Sequence, residues 1–207
     1  MDHDKVQLWK DGPYWATTNI GADRPEDAGL YFMWGDTVGY KLVDGIWTSQ
    51  DGAVLDVGFC ERNCRTAGKG IYELFTDGVV GADGLLLPLH DAACANWGAE
   101  WRMPSVLEFA MLSCMCDWTW YCLNGVRGYK VQGKGGFAKN NIFLPGAGYG
   151  GGTSLSRSGS DGYYRSSVPY SDGYYARGLY FGSDGHYASS GSRYDGRSVR
   201  PVQGLSK

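Results

Sequence analysis

The chain has 207 residues, a length suited to one domain, and its 43% hydrophobic and 20% charged residues exclude wholesale disorder. A net charge of −3 argues against a nucleic-acid binder that works by neutralising phosphates. The unusual counts are 33 Gly, 15 Tyr and 8 Trp, with no collagen-like glycine period.

In chain order, Leu8–Ala16 reads as two short strands joined by a turn at Asp11-Gly12. The aromatic run Leu30–Trp34 suits a buried strand. Residues 35–87, rich in Gly and Asp, are expected to form long loops. Two helices are readable. One covers roughly 89–97, with Ala92, Ala93 and Ala95 as formers, Asp91 as the charge complement at its start and Gly98 as its stop. The other follows Met103-Pro104-Ser105, where Ser105 and Glu108 have the spacing of a capping box ahead of Phe109-Ala110-Met111-Leu112. Asn141–Pro145 then leads into a Gly-rich sheet. No segment approaches the roughly 20 apolar residues a membrane span needs, and no apolar leader is visible at the N-terminus.

Six cysteines, at 60, 64, 94, 114, 116 and 122, are too dilute for a disulfide scaffold. None has the C-x-x-C spacing of a zinc knuckle, so buried thiols or one or two disulfides are expected. No metal site and no cofactor are expected.

The stretch 156–198 differs from everything before it. Its 43 residues hold 11 Ser, 8 Gly, 8 Tyr, 5 Arg and 4 Asp, and no Lys, Glu, Gln, Met or Trp. Those five types fill 28 of the first 155 positions, so their absence is a bias and not a sampling accident. They share one property: none can be reached from an AAY codon by changing its first two bases. Asp-Gly dipeptides at 161–162, 172–173, 184–185 and 195–196 supply turn signals at the interval of successive short strands. Between them, the alternation in 176–181 points Leu179 and Phe181 inward and Gly178 and Tyr180 outward. The tract is therefore expected to be ordered sheet and not a low-complexity tail.

A series of motifs runs in order through the chain: Tyr14-Trp15-Ala16-Thr17, Tyr31-Phe32-Met33-Trp34-Gly35-Asp36, Trp97 to Ser105, Ile142 to Tyr149, and Gly196 to Val202. Over residues 8–202 this series resembles the variable proteins of diversity-generating retroelements, in the subgroup of gut bacteria and their phages. The resemblance implies an α+β fold of C-type-lectin-like, formylglycine-generating-enzyme type: one domain, mostly antiparallel sheet, two helices and long Gly-rich loops. It also implies that 156–198 is a tract diversified by adenine-directed mutagenesis and displayed as a ligand-binding surface. The implied setting is extracellular, on a cell surface or a phage tail. The implied partner is a macromolecule, a protein first and a carbohydrate second, with no nucleic acid and no membrane insertion, bound by a monomeric domain.

The binding positions expected on this reading are Tyr170, Asp172, Tyr174, Tyr175, Arg177, Gly178, Tyr180, Gly182, Gly185, Tyr187, Ser189, Ser190, Ser192 and Asp195. The framework positions are Ser166, Ser167, Leu179, Phe181, Arg193, Val199 and Pro201. Tyr, Ser and Gly form the palette of antibody loops, large amphipathic contacts among small adaptable neighbours.

Enzyme readings find less support. The related formylglycine-generating oxidases need a cysteine pair near the C-terminal end, and the last Cys here is Cys122. The related sulfoxide synthases need HxxxHxE, which His3, His90 and His186 do not form. No GxSxG elbow supports a serine triad, and the Gly-rich run 146–152 lacks the Lys-Ser/Thr and helix of a phosphate loop. The Glu-Pro-Asn, Gln-Pro-Asp and Trp-Asn-Asp motifs of calcium-dependent lectins are absent. A structural Gly/Tyr-rich surface protein is the remaining alternative.

Overall fold

Strands β1 (Lys5–Gln7) and β2 (Tyr14–Ala16) form the expected N-terminal hairpin, with Asp11 turning it at φ 59°. The computed structural model describes residues 3–204. Short β3 (Tyr31–Phe32) is fully buried, as its aromatic run requires. The region expected to be loop contains a hairpin, β4 (Tyr40–Val43) and β5 (Ile46–Ser49), turned by Asp44-Gly45 with both φ values positive. That is the geometry for which an Asp-Gly pair is suited.

The same region holds a helix that the pattern does not announce, α1 (Ile71–Thr76), in which Leu74 is the single buried residue. There are thus three α-helices among the described residues, not two. The helix expected over 89–97 is a 3₁₀ turn, Pro88–His90, followed by α2 (Ala92–Trp97). The Asp91 carboxylate caps α2 by accepting from the amides of Ala93 (2.8 Å) and Cys94 (3.1 Å), and it also accepts from Met103 (2.8 Å). Gly98 stops the helix at φ 98°.

After β6 (Trp101–Arg102) comes α3 (Val106–Met115), which opens on the capping box: Ser105 Oγ accepts from the Glu108 amide, and Glu108 Oε2 accepts from the Ser105 amide. Strands β7 (Cys116–Leu123), β8 (Val126–Gly133) and β9 (Asn141–Pro145) form a three-stranded antiparallel sheet. A small pair, β10 (Tyr149–Gly151) and β11 (Ser154–Ser156), precedes the long strands β12 (Gly162–Pro169), β13 (Tyr175–Gly182) and β14 (Gly185–Ser192). The chain closes with β15 (Arg197–Ser198) and β16 (Val202–Gln203).

The seven-stranded sheet has the order β14-β13-β12-β15-β3-β4-β5, and a four-stranded sheet the order β1-β2-β16-β6. Pairing is antiparallel throughout the named strands except β12 with β15. This is an α+β architecture dominated by antiparallel sheet. No helix among the described residues is long and apolar enough to cross a membrane.

The tract 156–198 is ordered sheet. Its Asp-Gly pairs mark turns less regularly than their spacing suggests. Gly173, at φ 83°, lies in the turn between β12 and β13, but the β13–β14 hairpin turns on Ser183-Asp184, with Gly182 and Gly185 as the closing pair. Asp161-Gly162 opens β12, and Asp195-Gly196 lies in the β14–β15 connection. All six cysteines are free thiols, so no disulfide ties the fold.

Candidate ligand-binding surface

Leu179 and Phe181 are wholly buried, in a core shared with Phe109 and Leu112 of α3 and with Tyr129 and Leu144 of the three-stranded sheet. Phe181 stands perpendicular to Tyr129 at 5.4 Å and stacks on Tyr164 at 5.8 Å. Ala176 points the other way, into a second core with Trp34, Leu86 and Val199. Ser166, Ser167, Arg193, Val199 and Pro201, the other framework positions, are buried as well.

The expected binding positions do not form one patch. By strand alternation, Tyr175 and Arg177 share the side of β13 that carries Leu179, and opposite them on β14 stand Ser192 and Ser190. Helix α3 covers this side at Leu179 and Phe181 but leaves Tyr175, Arg177 and Ser190 exposed. Tyr180, Tyr187 and Ser189 lie on the reverse side. There a row of rings crosses the sheet, Tyr149–Tyr163–Tyr180–Tyr187, with centroids 5.0, 5.1 and 5.0 Å apart. Tyr187 ends the row at 58% exposure. Tyr180 is half-buried and donates to Asp161 Oδ1 (3.2 Å); burial, then the neighbouring carboxylate, pushes its phenol up to about 12.

Three positions read as surface are structural. Gly178 is buried, and a Cβ there would meet the Tyr164 carbonyl oxygen at 2.3 Å. Gly182 is buried beside Asp161, where a Cβ would approach Oδ1 to 3.0 Å. Asp195 bonds Arg197 Nη2 through Oδ2 (3.1 Å) and is a charge partner in the interior of the loop. Gly185, by contrast, has open space around it. In the β12–β13 turn Asp172 is exposed, and its Oδ1 accepts from the amides of Tyr174 and Tyr175 (both 3.0 Å), which fixes the turn from within. Tyr174 and Tyr175 are 45% and 42% exposed.

Buried arginines hold the backbone beneath these side chains. Arg193, wholly buried, donates to four carbonyls: Tyr175 (3.0 Å), Thr66 (2.8 Å), Lys69 (2.8 Å) and Tyr170 (3.1 Å). Its guanidinium also lies 5.0 Å over the Trp34 ring. Arg165 donates to the carbonyls of Ser192 (2.8 Å) and Arg193 (3.1 Å), and burial and then the Arg197 charge lower its pKa to about 9. Arg200 donates to Ala16, Thr17 and Phe143 carbonyls and to Asn19 Oδ1. Apart from the Arg200–Asn19 bond, these clamps bind main-chain oxygens, which every residue type supplies.

Catalytic constellations are weaker. Among the described residues no group of three or more His, Cys, Asp or Glu side chains could hold a metal. His186 Nδ1 lies 3.2 Å from Ser113 Oγ, a pair that sequence spacing does not suggest. The ring stacks on Trp118 at 4.0 Å, and among the described residues no carboxylate bonds to it. His90 Nδ1 meets the Gly35 carbonyl at 3.4 Å, and Asp91 is occupied as the α2 cap. A cleft of about 800 Å³ lies where the tract begins, lined by Ser158–Ser160 together with Glu26, Tyr31, Lys41 and Arg127. Glu26 accepts from Asn124 (2.9 Å), which holds its carboxyl below the usual range.

Comparison with family models, with curated proteins and with solved structures gives no match for this chain.

Proposed function

We propose that the chain is a ligand-binding module, a variable protein of a diversity-generating retroelement with a C-type-lectin-like fold, whose β12–β14 region is the diversified surface. One observation carries most of the weight. Arg193 and Arg165 fix the turns around Tyr170, Tyr175 and Ser192 through main-chain carbonyls. The side chains at those turns can then change without loosening the backbone that presents them. A rigid scaffold under exchangeable side chains is what a selected binding surface requires.

The code restriction supports the same reading, because diversification is useful where residues meet a changing partner. Exposed Tyr174, Tyr175 and Tyr187 suit a protein partner, since tyrosine gives large contact area at low entropy cost. Among the described residues the His–Ser pair has no orienting acid, so an enzyme reading gains nothing from it.

The locus tests the proposal. A reverse-transcriptase gene beside a near-copy of the 156–202 coding region, differing at adenines, is expected. Between isolates, substitutions should fall on exposed positions such as Tyr174, Arg177, Tyr187 and Ser190 and spare Leu179, Phe181 and Arg193. Substitutions spread evenly over the chain, with no such gene nearby, would overturn it.

A further inference from the structure

Arg177 is exposed on β13, and its guanidinium carbon lies 4.4 Å from the centroid of the Tyr170 ring. A guanidinium held against an aromatic face keeps its in-plane N–H donors pointing outward. The strand beneath is fixed, since Ser166 Oγ donates to the Arg177 carbonyl (2.8 Å) and the Tyr170 amide donates to the Tyr175 carbonyl (2.9 Å). The Arg177 side chain has no hydrogen-bond or ion-pair partner among the described residues. Asp172, the acid of the neighbouring turn, spends Oδ1 on two amides. Opposite Arg177 stands Ser190, and two pairs along stand Tyr175 and Ser192, which add hydroxyl donors to the same side of the sheet.

We infer that Arg177, laid on Tyr170 and flanked by Ser190, is the anchor for a single carboxylate, an Asp or Glu side chain of a protein partner. The planar fork matches a carboxylate in bidentate fashion. A polyanion is the poorer fit, because one arginine stands here on a chain of net charge −3. Exposed Tyr175, on the same side of the strand as the cation, matches a carboxylate set next to apolar surface, which is a feature of folded protein and peptide ligands. Tyr170 acts as a positioning residue, holding the guanidinium over its ring. This inference rests on the reading of the tract as a binding surface.

The test pans a phage-displayed random peptide library against the immobilised full chain, then measures the selected peptides by fluorescence polarisation. Peptides carrying Asp or Glu at one recurring position are expected. They should bind Arg177→Ala about tenfold or more weakly, and Arg177→Lys, which keeps the charge without the fork, should restore only part of the loss. Changing the peptide acid to its amide should cost the same factor, and combining both changes should cost no more. The melting temperature of Arg177→Ala should match the unsubstituted chain, which separates lost binding from lost folding. Selected peptides without a recurring acid, or peptides that bind Arg177→Ala equally well, overturn the inference. If those peptides still lose binding to Tyr174→Ser or Tyr175→Ser, the binding-surface reading survives without it. If the unsubstituted chain enriches no peptide, both fail.

Discussion

Gly162 lies against the tip of the Phe181 ring, its partner across the β12–β13 ladder: a Cβ on Gly162 would stand 2.0 Å from Phe181 Cζ. Phe181 is wholly buried between α3 and the three-stranded sheet, so the ring has nowhere to retreat. Gly162→Ala should therefore destabilise the fold by about 1–3 kcal/mol, despite the gain an alanine usually brings through the unfolded state. At this chain length that is roughly 2–4 °C of melting temperature per kcal/mol by calorimetry. An unchanged midpoint would show that the ring can swing aside.

Neighbouring aromatic positions of the tract should respond in opposite ways. Phe181→Ala should cost about 3–5 kcal/mol, as a large truncation in a packed core does. Tyr187→Ala, at the exposed end of the ring row, should stay within about 0.5 kcal/mol. Tyr180→Ala should fall between them, because Tyr180 is half-buried and bonded to Asp161. Equal losses for Phe181→Ala and Tyr187→Ala in urea denaturation would contradict the assignment of sides.

Arg193→Met should cost at least about 3 kcal/mol, since it strips a charged donor from one buried and three part-buried carbonyls. The loss should be visible locally as well. The Gly68 amide donates to the Gly173 carbonyl (3.0 Å), joining the loop before α1 to the β12–β13 turn. Hydrogen exchange at Gly68 and protease sensitivity around 170–175 should both rise. Unchanged protection there, in a variant that still folds, would show that Arg193 is not the clamp.

His186 gives the fold a pH dependence of known sign. Burial lowers its folded pKa below the ordinary value of about 6.5. The unfolded chain then binds a proton that the folded chain does not, so stability falls as pH drops through the unfolded pKa, down to the folded one. The groups facing the ring are Trp118, Tyr129, Phe181 and Ser113, none of them an acid that would offset the effect. Urea midpoints should decline below about pH 6.5, and His186→Phe should flatten that part of the profile. A profile identical in the two proteins would rule His186 out as the source.

Local signals were legible in the sequence where the physics is local. Ser105 and Glu108 cap α3, Asp91 and Gly98 bound α2, and the alternation at Leu179 and Phe181 names the buried side. Helix α1 was not legible, because six residues with one buried apolar side chain carry no helical period. The β4–β5 hairpin was legible in principle, since Asp44-Gly45 sits between two apolar runs, but the surrounding glycines masked it. The division of the positions expected to bind between two sides came from structure alone. Alternation fixes which way a side chain points, whereas what covers it depends on how far a ten-residue helix reaches across the sheet. Gly178 and Asp195 were misread for a related reason. Their constraints are the Tyr164 carbonyl and Arg197, and only the folded pairing brings these close.

Strands β15 and β16, the last of the described chain, lie in the middle of their sheets: β15 between β12 and β3, β16 between β2 and β6. During synthesis, the seven-stranded sheet cannot close before β15 is made, nor the four-stranded sheet before β16, so both wait until the 156–198 tract has been translated. A premature stop or frameshift anywhere in the preceding tract would leave Trp15, Phe32 and their neighbours without the strands that complete them. Such products would fail as whole proteins instead of persisting as defective copies. On the proposed reading of the tract as diversified, its broken versions would thus be removed by proteolysis, with no separate proofreading step.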